Sequence, residues 1–144
     1  MEEHLTLKEG LDKFHEKNRA YFSNHEYSEN GKEFIKCHDI AHVVFGCDTT
    51  IFGEGVVKIW TTFGTTLSFW KVTSGYQDAS AFELFKGYSF KHVAKNILRF
   101  LGAIPKTIVR AKRMSKPWPF SDYEPYLDMK LSEIRNEFNI QILR

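Results

Sequence analysis

The sequence predicts an all-α protein: a compact bundle of five or six helices, one domain over residues 1–144. Three observations lead there. Apolar residues return at three- and four-residue intervals in several separate stretches, the period of one helix face. A stop at Gly46 followed within four residues by capping residues marks a helical hairpin. The composition, 42% apolar and 26% charged over 144 residues, is that of a globular domain with a core of its own.

Taken in order, Leu7, Leu11 and Phe14 step by four and three and predict a first amphipathic helix that fades near Asn24. Asn30 and Gly31 punctuate the chain before a second helix. There Phe34, Ile35, His38, Ala41, His42 and Phe45 form one stripe, with Glu33, Lys36 and Asp39 to its sides, so both histidines look inward. Gly46 ends this helix, and Asp48, Thr49 or Thr50 can cap the next by accepting backbone N–H bonds. That third helix is expected from about Ile51 to Val72, although its threonines and aromatics also favour strand. A fourth, from about Ala81 to Leu101, turns Phe82, Phe90, Val93, Ile97 and Leu101 inward and lines up Lys91, Lys95 and Arg99 outside. Pro105 suits the first turn of a separate helix reaching Met114. Pro117-Trp118-Pro119 predicts an extended linker, and Leu131, Ile134 and Phe138 a terminal helix opened by Asp128 or Ser132.

Composition bounds the function. The longest run without Asp, Glu, Lys or Arg is the twelve residues between Lys58 and Lys71, short of the roughly 18 needed to span a bilayer. The acidic N-terminus excludes a secretory signal and argues against a transit peptide, so the protein is expected to stay where it is made. Two cysteines, Cys37 and Cys47, form no disulfide framework or Cys-x-x-Cys metal site and suit a reducing compartment. Charge is unevenly spread. Between Glu83 and Asp122 there is no acid but nine Lys and Arg, leaving 11 basic against 18 acidic residues elsewhere. One face therefore suits an anionic partner. Within it, the run from Ile104 to Met114 mixes aliphatic anchors with Lys106, Arg110, Lys112 and Arg113, a pattern for the interface of an anionic membrane. No helix-turn-helix, zinc-finger or ribonucleoprotein signature directs the chain to nucleic acid.

His38-Asp39-Ile40-Ala41-His42 sets two imidazoles one helical turn apart, within reach of one metal ion. A zinc protease would carry Glu where Asp39 stands, so that chemistry is disfavoured. Glu54 is the leading third ligand by depth. His42 lies four residues before Gly46 and Glu54 four after Thr50, so on antiparallel helices each sits about 6 Å from the turn. Such a nitrogen and oxygen set accepts zinc, the leading choice, or iron(II), manganese or magnesium. Histidines on a core face also serve as hydrogen-bonded structural residues, and the spacing alone leaves both readings open. Thr61, Gly64, Thr65 and Ser68 form a row of small groups, either a slot for a flat ring or a seam for close helix packing. His4, His15 and His25 lie among charges and His92 in a basic helix, so solvated roles are expected for them. A histidine-aspartate hydrolase would need further ligands, for which His92 and Asp122 fit poorly.

These residues resemble the coenzyme Q biosynthesis protein 4 family. The match rests on His38-Asp39-x-x-His42, eleven residues, then Glu54, and on a C-terminal run from Ala103-Ile104-Pro105 through Trp118, Tyr126-Leu127, Leu131, Ile134-Arg135 and Asn139-Ile140. The resemblance implies a mainly helical, peripheral membrane protein of ubiquinone biosynthesis, cytoplasmic on the inner face of the cell membrane. It implies metal ligands His38, Asp39, His42 and Glu54, with Glu54 and Asp39 in catalysis. The implied activity is C1 decarboxylation, oxidative or not, of a polyprenylated 4-hydroxybenzoate-type precursor, as a carboxy-lyase; a non-catalytic scaffold binding such lipids is the alternative. Partners would be other ubiquinone biosynthesis enzymes and, because relatives carry a longer N-terminal region, a second copy of this chain in a homodimer.

Overall fold

A computed structural model describes residues 3–19, 29–67 and 90–143. Five helices run through them: α1 (Leu7–Lys17), α2 (Glu29–Phe45), α3 (Ile51–Gly64), α4 (Phe90–Lys112) and α5 (Leu131–Phe138), with a 3₁₀ turn at Glu124–Tyr126 before α5. The described residues contain no strand, only isolated bridges joining Thr6 to Lys130 and Thr65 to Trp118. The all-α expectation holds.

α2 is the centre. From Cys37 to Phe45 it is buried on nearly every side, because α1, α3 and α5 all pack on it. Asp39, expected at the edge of the stripe, is buried with the rest. α2 also begins earlier than its punctuation suggested, running through Asn30 and Gly31. It ends as expected at Gly46, in the left-handed region at φ 66°. Gly46 N–H donates to Val43 C=O at 3.3 Å and Cys47 N–H to His42 C=O at 2.9 Å, the pair of bonds that closes a Schellman turn. Arg135 of α5 takes up neighbouring carbonyls, donating from Nε to Val44 and from Nη2 to Val43 at 3.0 and 2.8 Å. Of the three candidate caps for α3, Thr50 serves, its Oγ1 accepting from Gly53 N–H at 3.1 Å.

α1 opens on a capping box in which Thr6 Oγ1 accepts from Glu9 N–H and Glu9 accepts from Thr6 N–H. It ends at Lys17, with Asn18 as its C-cap, before the expected fade near Asn24. α4 corrects two expectations. Pro105 does not start a new helix but lies inside one continuous helix. A proline there removes the bond to Leu101 C=O, but Leu101, Gly102 and Pro105 are exposed, so water can satisfy the released carbonyl. The buried face also differs. Asn96, Ala103, Thr107 and Ala111 face inward, while Ile97 and Leu101 face out, Leu101 at 55% exposure. The cause is close packing on α3, where a Cβ at Gly55 would lie 2.7 Å from Phe100 and one at Gly64 would lie 3.0 Å from Met114 Sδ. Gly55 thereby makes room for the Phe100 ring of α4, and Gly64 lies against Ala111.

Trp118, within the extended Pro-Trp-Pro segment, is fully buried, its backbone N–H donating to Gly64 C=O at 2.8 Å. The linker is thus a clamp on the end of α3. α5 is opened by Lys130 rather than Asp128 or Ser132, with Glu133 accepting from Lys130 N–H at 3.3 Å. α3 ends at Gly64, eight residues short of the expected Val72, with Thr65 already extended, and the expected start of α4 near Ala81, with Phe82, lies outside the described residues.

Gly46→Ala should destabilise the protein by about 1–2 kcal/mol through its left-handed backbone, with added contact on Ile142. Gly102→Ala, in open space on exposed α4, should instead stabilise by roughly 0.5–1 kcal/mol. Urea denaturation midpoints of the two variants check both signs.

Candidate metal centre

The hairpin delivers three ligands to one place. His38 and His42 stand one turn apart near the end of α2, and Glu54 occupies the first turn of α3. His42 Nε2 lies 3.2 Å from Glu54 Oε1, and His38 Nε2 lies 3.8 Å from Glu54 Oε2. The two rings meet edge to face with centroids 4.6 Å apart. One donor atom from each residue falls within 4.8 Å of the others. The depth argument from the turn is met.

The Schellman turn orients His42. Cys47, whose N–H already bonds His42 C=O, presents its own C=O 3.3 Å from His42 Nδ1. A carbonyl only accepts, so Nδ1 carries a proton and Nε2 is the nitrogen turned toward Glu54. Phe14 stacks on the same imidazole at 5.3 Å, and behind it Phe45 and Trp60 stack in parallel at 4.7 Å. His42 is 1% exposed and Glu54 6%. Burial alone would raise the Glu54 pKa, but the His42 and His38 imidazoles and Lys58 outweigh it and hold the carboxyl below its usual range. His42 Nε2 makes no hydrogen bond of normal geometry although it is buried. A buried Nε2 beside an anionic carboxylate is stable only with positive charge between them, a proton on the imidazole or a bound metal ion. Two imidazole nitrogens and a carboxylate are also the protein ligands of open zinc sites. The residues fit a divalent metal.

The other expected site residues are placed as follows. Asp39 lies beside the group but does not converge with it. Its Oδ2 accepts from His15 Nε2 at 2.9 Å, and its Oδ1 lies 3.9 Å from His38 Nδ1. Thr61 and Thr65 donate their hydroxyls to Val57 and Thr61 C=O within α3, and Gly64 faces Met114 and Ala111. Ser68 lies outside the described residues. Lys106, Lys112 and Arg113 are exposed, whereas Arg110 donates from Nη1 to Ile142 and Gln141 C=O. Burial first, with Glu33 beside it, pushes the Cys37 thiol up to about 12, and burial raises that of Cys47 as well, so both stay neutral. Sequence reasoning missed His15, which its charged neighbours disguised. Its spacing of four from Leu11 puts it on the inward face, and that signal was readable.

Residues 21–143 match the family described as coenzyme Q (ubiquinone) biosynthesis protein Coq4. No curated protein and no solved structure matches the chain.

Zinc at about 100 times its dissociation constant should stabilise the protein by about 2.7 kcal/mol. The resulting rise in melting temperature should vanish in His42→Ala and on adding a chelator. Differential scanning fluorimetry with and without the ion reads this directly.

Proposed function

The chain belongs to the coenzyme Q (ubiquinone) biosynthesis protein Coq4 family, and its role is in ubiquinone biosynthesis; from this premise we propose that it removes the C1 carboxylate of a polyprenylated 4-hydroxybenzoate-type precursor at a membrane surface. The observation that carries the reading is the convergence of His38, His42 and Glu54 on one point inside the fold.

His38, His42 and Glu54 would hold the divalent ion, with Asp39 as the neighbouring acid. The bound ion would supply Lewis-acid stabilisation of negative charge developing on the substrate oxygens. Glu54 is the proton-handling group, since it faces both imidazoles and is shielded from bulk water. Held as a carboxylate, it takes up a proton from water and passes it to C1, made basic by the para hydroxyl. The C1–carboxylate bond then breaks, its electron pair restores the aromatic ring, and carbon dioxide leaves. A ring moving along Thr61, Gly64 and Thr65 requires the Met114 thioether to swing aside, which its unbranched chain permits.

Delivery of so apolar a substrate calls for contact with lipid. Among the described residues no helix is long and apolar enough to cross a membrane. α4 instead exposes Ile97, Leu98, Leu101 and Val109, with Leu98 71% exposed, next to Lys95, Arg99, Lys106, Lys112 and Arg113. Aliphatics entering the headgroup boundary while cations meet anionic lipid is the binding mode of an interfacial helix. A second copy docked on this face by two-fold symmetry would set like charges against each other.

Cells lacking the protein should accumulate the carboxylated precursor, and Glu54→Gln should fail to clear it by at least tenfold while wild type does so. Unchanged quinone pools overturn the enzyme reading, and lipid binding without turnover by purified, zinc-loaded protein favours the scaffold. For the membrane contact, Leu98→Asp with Leu101→Asp should abolish co-sedimentation with vesicles containing anionic lipid and leave the melting temperature unchanged.

A further inference from the structure

α1, Leu7–Lys17, precedes the family-matched residues 21–143, yet it closes one side of the metal centre. Phe14 covers the His42 ring at 5.3 Å, tilted by 26°. The next residue, His15, reaches Asp39. Its Nε2 donates to Asp39 Oδ2 at 2.9 Å, and the opposite oxygen of that carboxylate faces His38 Nδ1 at 3.9 Å. A row of His15, Asp39 and His38 therefore runs from a side chain that is 43% exposed to the Nδ1 edge of the His38 ring, its first step a hydrogen bond and its second a charge contact.

A carboxylate as buried as Asp39, at 5% exposure, is stable only with partners that compensate its lost hydration. His15 is the nearest. With Oδ2 held by His15, the rigid carboxylate keeps Oδ1 toward Nδ1 of His38. A carboxylate behind a ligand imidazole attracts the Nδ1 proton, fixes the ring and leaves Nε2 as the lone-pair nitrogen. That nitrogen is the one turned toward Glu54.

We propose that His15 is a positioning residue of the metal centre, which orients His38 through Asp39, so that ligand geometry depends on a helix outside the family-matched stretch. The inference rests on the reading of His38, His42 and Glu54 as a metal site. It adds that Asp39 acts from behind His38.

The test is a competition titration of zinc against a chromophoric chelator, with wild type, His15→Leu, His15→Gln and His42→Ala. Melting temperatures are taken without metal. His15→Leu should weaken zinc about 10–100-fold, the usual effect of losing an outer-shell partner. The Gln amide can still donate to Asp39, so His15→Gln should recover most of that affinity. Cobalt(II) in place of zinc should show a changed visible absorption band in His15→Leu and the wild-type band in His15→Gln. Should His15→Leu not fold, His15→Ser, which opens Asp39 to water, is expected to show the same weakening. Wild-type affinity in the Leu or Ser variant, or a loss that Gln does not recover, overturns the role of His15 alone. If wild type binds zinc no better than His42→Ala, the metal reading falls and the role of His15 with it.

Discussion

At Gly46 the chain must reverse within a few residues while still satisfying the last carbonyls of a buried helix, and the rest of the molecule is arranged around how this is done. A residue with a Cβ resists the left-handed backbone there. Once the turn closes, Cys47 touches His42 twice, through its own N–H to the histidine carbonyl and through its carbonyl to the imidazole. The helix stop thereby also selects the tautomer of a ligand. The turn sets the depth of α3 against α2, and with it the meeting of His42 and Glu54.

Close packing and charge explain the remaining asymmetry of the fold. α4 seats Phe100 on Gly55 and Ala111 on Gly64 of α3, so that side is filled and the aliphatics Ile97, Leu98 and Leu101 fall on the other. They are displaced outward among lysines and arginines. On the opposite side of the hairpin, α1 packs on α2 and brings Phe14 and His15 to the histidines. The centre is thus walled by one helix and its ligands are carried by two others, while the outward face is a by-product of tight packing elsewhere.

Much of this was readable from the residues alone, because the features concerned are local. The stripe of α2, the stop at Gly46 and the equal distances of His42 and Glu54 from the turn need only helix geometry. Pro105 misled because a proline is tolerated inside a helix when the carbonyl it strands faces water, and exposure is a tertiary fact. Ile97 and Leu101 misled because hydrophobicity alone does not tell which side can approach a glycine. The Lys130 cap arises from pairing between Thr6 and Lys130, far apart in sequence. Asp39 was legible as part of a motif, but its partner was not, since His15 is 24 residues away on another helix.

Arg135 holds the carbonyls of Val43 and Val44 from α5 and also pairs with Glu3 at 2.9 Å. Every ligand of the centre lies at or before Glu54, but the clamp on their turn comes 81 residues later, at Arg135. During synthesis the imidazoles and the carboxylate emerge well before the guanidinium that pins their turn. The turn of the centre is therefore pinned only once α5 has been made, so metal loading belongs after the synthesis of that helix rather than alongside that of the ligands.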